Sequence, residues 1–75
     1  MTKIMLDIPE ISCDHCAKTI TKALGEQPGV ETVQVDVPKR QAAVVFDGSL
    51  IDRARIEHLL DDEGYPVEST TTVEG

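Results

Sequence analysis

Hydrophobic residues switch between two spacings along this chain, and the order of the switches leaves few folds open. Residues 3 to 8 put Ile4, Leu6 and Ile8 on one side and Lys3, Met5 and Asp7 on the other, the period-two alternation of a half-buried strand, which Pro9 ends. From Asp14 or His15 to Leu24 the period becomes helical, with Cys16 or Ala17, Ile20, Ala23 and Leu24 on one face and Lys18, Thr21 and Lys22 left to water. Gly25 stops this helix, and Pro28-Gly29 marks a turn. Val33, Val35 and Val37 then alternate with polar residues as a second strand, Pro38-Lys39-Arg40 forms a tight connection, and Ala42, Val44 and Phe46 are the inward set of a third strand. A second helix is expected from about Asp52 to Glu63, with the stripe Ile56, Leu59 and Leu60; Asp52 is its expected cap and Ser49 with Asp52 as a capping box the alternative. After Gly64, Tyr65-Pro66-Val67-Glu68 reads as a short last strand, at an edge because proline cannot donate to a ladder, and residues 69–75 as a polar, disordered tail.

Strand, helix, strand, strand, helix, strand is the order of an α+β, ferredoxin-like βαββαβ sandwich, two helices on a four-stranded antiparallel sheet, here expected as one domain over residues 1–68. The only aromatics are Phe46 and Tyr65, so the core must be aliphatic and thin, and 75 residues leave little room for a substrate cavity. No catalytic constellation appears, and a non-enzyme is expected. Running the chain through the topology brings three connections to one end: the loop after the first strand, Pro38-Lys39-Arg40, and Gly64-Tyr65. A net charge of -7 disfavours nucleic acid and anionic membranes as partners. No run is long and apolar enough for a signal peptide or a membrane-inserted segment, so the expected location is cytoplasmic, where thiols stay reduced.

That compartment matters because the chain's two cysteines, Cys13 and Cys16, lie in Ile11-Ser12-Cys13-Asp14-His15-Cys16, between the first strand and the first helix. Cys-x-x-Cys serves either dithiol exchange or soft-metal capture. Cys16 falls in the first helical turn, where unpaired N–H groups and the helix dipole favour a thiolate, while Cys13 precedes it in the loop. Two thiolates suit copper(I), which accepts few ligands; structural zinc wants four, and only two sulfurs are present. His15 reads as an exposed helix-start residue, with an auxiliary copper ligand in a dimer or during transfer as its alternative use. His58, on the second helix, reads as a surface histidine. Dithiol redox exchange ranks second, because the thioredoxin pattern of an aromatic before the first cysteine and Gly-Pro between the pair is replaced by Ser12 and Asp14-His15.

Taken with the order of elements, this motif resembles the heavy-metal-associated domain family, and within it the small bacterial copper chaperones. The likeness covers nearly the whole chain to Glu68, through Gln27-Pro28-Gly29-Val30, Val33-Gln34-Val35-Asp36, Ala42-Ala43-Val44-Val45-Phe46-Asp47 and Glu63-Gly64-Tyr65-Pro66-Val67. The resemblance implies that Cys13 and Cys16 are the metal-binding pair and that Tyr65 is the aromatic which bacterial members place facing the metal. Glu10 and Ile11 stand where the family usually has Gly-Met, so Ile11 would take over the methionine's role as a buried loop anchor. The implied function is a copper(I) chaperone that hands its ion by ligand exchange to a copper-transporting P-type ATPase or its metal-binding domains, with a copper-induced homodimer as a further form. A metal-binding module of such an ATPase, and a carrier of mercury or zinc, are the alternatives; a methionine just before the first strand favours the free chaperone. Lys18, Lys22, Lys39 and Arg40 form a basic set and Asp61, Asp62 and Glu63 an acidic one, both candidates for partner docking.

Overall fold

A computed structural model describes residues 1–74, Glu74 by its backbone alone. The elements run β1 (Thr2–Asp7), α1 (Asp14–Gly25), β2 (Val30–Asp36), β3 (Gln41–Phe46), α2 (Arg53–Asp62) and β4 (Ser69–Glu74). The strands form one antiparallel sheet in the order β2-β3-β1-β4, with both helices on it, the ferredoxin-like arrangement expected from the periodicities. Register follows the alternation: Ile4 faces Val44 and Leu6 faces Ala42, so the apolar set of each central strand shares one side of the sheet. Ile20 and Leu24 of α1 and Ile56 and Leu60 of α2 close over that side, and all four are fully buried. Asp52 caps α2 by accepting from the Arg55 N–H at 2.8 Å, as its residue type predicts.

The last strand is where the structure corrects the sequence reading. Residues 65–68 lie outside the sheet, and β4 is Ser69–Glu74, within the segment expected to be a disordered tail. Pro66 lacks the N–H a ladder needs, whereas Thr70, Thr71, Thr72 and Val73 are β-branched and favour a pleated edge strand despite their polarity. Gly75 of the expected tail lies outside the described residues. Tyr65 and Val67 still pack against the core from outside the ladder.

One carboxylate ties the strands together at the end of the sheet from which the three connections leave. Asp7 accepts from Gln41 Nε2 at 2.9 Å and from Ser69 Oγ at 2.6 Å, joining β1 to β3 and to β4. These bonds, Ser69's first, hold the Asp7 carboxyl below the ordinary aspartate value because they favour the charged form. A depressed folded-state pKa stabilises the fold above the unfolded value, and this is lost as pH falls through the folded one. Asp7→Asn therefore lowers the denaturant midpoint at neutral pH, and the gap to the parent closes on acidification. Midpoints measured across acid pH check this; a constant gap would contradict it.

The β2–β3 hairpin turns through Arg40, which adopts a left-handed φ of 56°. There its N–H donates to the Val37 carbonyl at 3.1 Å, and its own carbonyl accepts from the Ile8 N–H at 2.9 Å. The hairpin tip is thereby fastened to the chain entering the cysteine loop.

Candidate metal centre

Ile11 is fully buried and its N–H donates to the Ile8 carbonyl at 3.1 Å, so the cysteine loop starts from a fixed point in the core. Cys13 follows in extended conformation as the N-cap residue of α1, with φ -159° and ψ 172°, but its side chain makes no capping bond. Its thiol is exposed and free; Cys16, one turn into the helix, is half-buried and also free. The two sulfurs stand 3.8 Å apart. Both sit at the positive end of the helix dipole, which favours anionic sulfur.

Tyr65 reaches this site because of how α2 ends. Gly64 takes φ 87°, its N–H donates to the Asp61 carbonyl at 3.1 Å, and the Tyr65 N–H donates to the Leu60 carbonyl at 2.8 Å. That paired pattern is the Schellman stop, which needs a residue free of left-handed strain at Gly64. It turns the chain back so that half-buried Tyr65 comes to Cys16, where its hydroxyl favours the thiolate. Together with the Ser12 backbone, that hydroxyl brings the Cys16 thiol down to about 7. The same interaction raises the Tyr65 hydroxyl, because it favours the protonated form. Tyr65→Phe is accordingly expected to move the Cys16 titration upward, toward that of an ordinary thiol near 8.5. Thiolate absorbance followed against pH in a Cys13→Ser background reads this directly, and an unmoved midpoint would show that the hydroxyl has no hold on the sulfur.

Two contributors were missed by sequence reading. Ser12 sets its hydroxyl 4.0 Å from the Cys16 sulfur, and Thr19, whose hydroxyl donates to the His15 carbonyl at 3.1 Å, also interacts with Tyr65. Thr19 lies three residues after Cys16 and so shares its helix face, which is the signal that could have singled it out. His15 is exposed at the helix start. His58 lies on α2, exposed, with Nε2 4.0 Å from Asp62 Oδ2. Among the described residues, no group of three or more His, Cys, Asp or Glu gathers as a metal cage. Asp14 lines a separate open cleft with Val35 and Pro38.

The candidate docking charges divide. Lys39 and Arg40 line a shallow cleft with Ile8, Pro9 and Glu68, beside the chain that enters the cysteine loop. Lys22 lines another with Thr19, Glu26 and Glu63, where basic and acidic candidates meet between the helices. Lys18, Asp61 and Asp62 are exposed on the helices. No described helix is long and apolar enough to cross a membrane.

Comparison with known proteins gives the arrangement a context. A family model described as heavy-metal-associated domain matches residues 5–66. The copper chaperone CopZ of Staphylococcus haemolyticus is 29% identical over 91% of this chain and 100% of its own length. A mercuric transport protein periplasmic component of Pseudomonas aeruginosa is 35% identical over 84% of this chain and 69% of its own. The crystal structure of a copper binding domain from a P-type ATPase superposes with a TM-score of 0.85 at 26% identity, covering 97% of this chain and 95% of that one.

Proposed function

The chain belongs to the heavy-metal-associated domain family, and from that premise we propose that it carries copper(I) between Cys13 and Cys16 and passes it to a partner by thiolate exchange. The observation that carries this reading is the pair of free thiols, 3.8 Å apart at an exposed helix start, with no third ligand gathered among the described residues. A site of two sulfurs suits a soft ion content with few ligands and leaves zinc short of its usual four. An ion held by only two sulfurs at an exposed helix start keeps coordination positions open, and an incoming thiolate can bind before either resident bond breaks.

Transfer proceeds through that opening. A partner thiolate bonds to the ion, the bond to exposed Cys13 breaks, a second partner thiolate enters, and the bond to Cys16 breaks last, with copper remaining +1 throughout. Tyr65 and the Ser12 N–H stabilise the Cys16 thiolate as the ion departs, so no protonation is needed to release it. The likeness to a P-type ATPase copper binding domain supports a domain of that kind as the partner; the cytoplasm is the proposed place of the exchange. The same exchange between two copies would yield a copper-bridged homodimer, with exposed His15 as an auxiliary ligand. Lys39 and Arg40 beside the loop, Lys18 and Lys22 on α1, and Asp61, Asp62 and Glu63 on α2 would orient the approach.

CopZ relatives matched over their full length favour copper; the mercuric transport relative, with higher identity, supports mercury(II) as the second reading. The transfer step is tested by mixing copper-loaded protein with such an ATPase domain beside a strong copper(I) chelator. Direct exchange predicts that the domain fills before the chelator does. A chelator that intercepts the copper first would mean release into solution.

A further inference from the structure

The two edges of the sheet differ in a way that metal carriage does not use. Edge strand β2 is interrupted by a register shift between Val30 and Thr32 and carries exposed Glu31 and Asp36, features that discourage pairing with another chain. Edge strand β4 has its own register shift opposite Lys3 and Ile4, at Val73, but from Ser69 to Thr72 it pairs regularly and carries neither charge nor proline, three of the four residues being β-branched. All but Thr70 are exposed, and Val73 is 48% accessible.

The ladder fixes which backbone groups that edge offers. Because Ile8 donates to Arg40, even-numbered residues along β1 turn their backbone bonds toward β3 and odd-numbered ones toward β4. Thr71 and Ser69, opposite Met5 and Asp7, are thus bonded inward. Thr70 and Thr72, opposite Leu6 and Ile4, direct their N–H and C=O groups away from the sheet. We propose that β4 is a self-association edge, pairing antiparallel with β4 of a second copy about a two-fold axis at Thr71. Thr70 of each copy meets Thr72 of the other, and four backbone hydrogen bonds form. Thr71 faces its equivalent across the axis, a favourable cross-strand pair. The contact is isologous and closes as a dimer, since it uses the same strand from both copies, and the guarded β2 edge discourages extension into a filament. Acidic Glu68 and Glu74 bound the run in sequence, so the association is weak and strengthened by salt.

Sedimentation equilibrium of the full chain carrying Cys13→Ser and Cys16→Ser tests this, since neither a metal bridge nor a disulfide can then form through the cysteines. Up to about 1 mM chain, the weak end of specific association, a reversible monomer–dimer equilibrium that shifts toward dimer with added salt is expected. Thr72→Pro removes an outward N–H without touching the β1 ladder, and Thr71→Lys sets two like charges on the axis. Each should leave the far-UV circular dichroism unchanged and the protein monomeric. If Thr72→Pro perturbs folding, Thr71→Lys decides alone. A protein that stays monomeric across this range, or a dimer indifferent to Thr71→Lys, would overturn the proposal.

Discussion

Replacing Cys13 and Cys16 together with serine is expected to abolish tight copper(I) binding while leaving the fold standing. A serine hydroxyl stays protonated at neutral pH and offers a hard oxygen where a soft ion needs thiolate. Removing an outer partner of a metal ligand typically costs about 10- to 100-fold in affinity, so losing both ligands must exceed that range. Stability should hardly change, because Cys13 is exposed and Cys16 only half-buried. The single variants are predicted to differ. Cys16→Ser is the more damaging, since Cys16 titrates near 7 and is supported by Tyr65 and Ser12, whereas exposed Cys13 is the first ligand to leave. Competition against a chelator of known affinity, run beside thermal unfolding, measures both effects. A double variant within 10-fold of the parent would remove the cysteines from the site.

The largest effect on the fold is expected from Leu6→Ala. Leu6 lies on the inner face of β1 and is fully buried, and its ladder neighbours Ala42 and Thr70 are too small to fill the space it would leave. Such truncations cost about 2–5 kcal/mol when the surroundings cannot collapse. At roughly 0.05–0.15 kcal/mol per residue, a domain this small has about 4–11 kcal/mol in all. The variant should lose at least about 8 °C in melting temperature, at about 4–8 °C per kcal/mol for this size. Differential scanning calorimetry checks this, and a loss under 2 °C, well below the ~4 °C per kcal/mol minimum for such a domain, would show a core able to repack.

The two effects divide as the sequence would suggest, one in an exposed loop and one in a periodic strand, and that division marks what could be read in advance. Period-two spacing at Ile4 and Leu6 and at Ala42, Val44 and Phe46 located the central strands because their burial is one-sided, and Asp52 announced the start of α2 through its capping chemistry. β4 escaped because an edge strand needs little apolar surface, so its threonines looked like tail. Tracing the topology did bring the cysteine loop, the Arg40 turn and Tyr65 to one end. What it did not supply were the polar contacts that tune that end: Asp7 with Gln41 and Ser69, and Thr19 and Ser12 around Tyr65 and Cys16. Those depend on side chains that meet only once the backbone is folded.

The proposed cargo of the two-thiolate site is copper(I). Anaerobic competition on the reduced protein, with copper(I), mercury(II) and zinc each set against chelators of known affinity, tests it most directly. The expected result is one copper(I) per chain, held far more tightly than zinc and lost in the double serine variant. Zinc held more tightly than copper(I), or copper(I) retained without the cysteines, would contradict it.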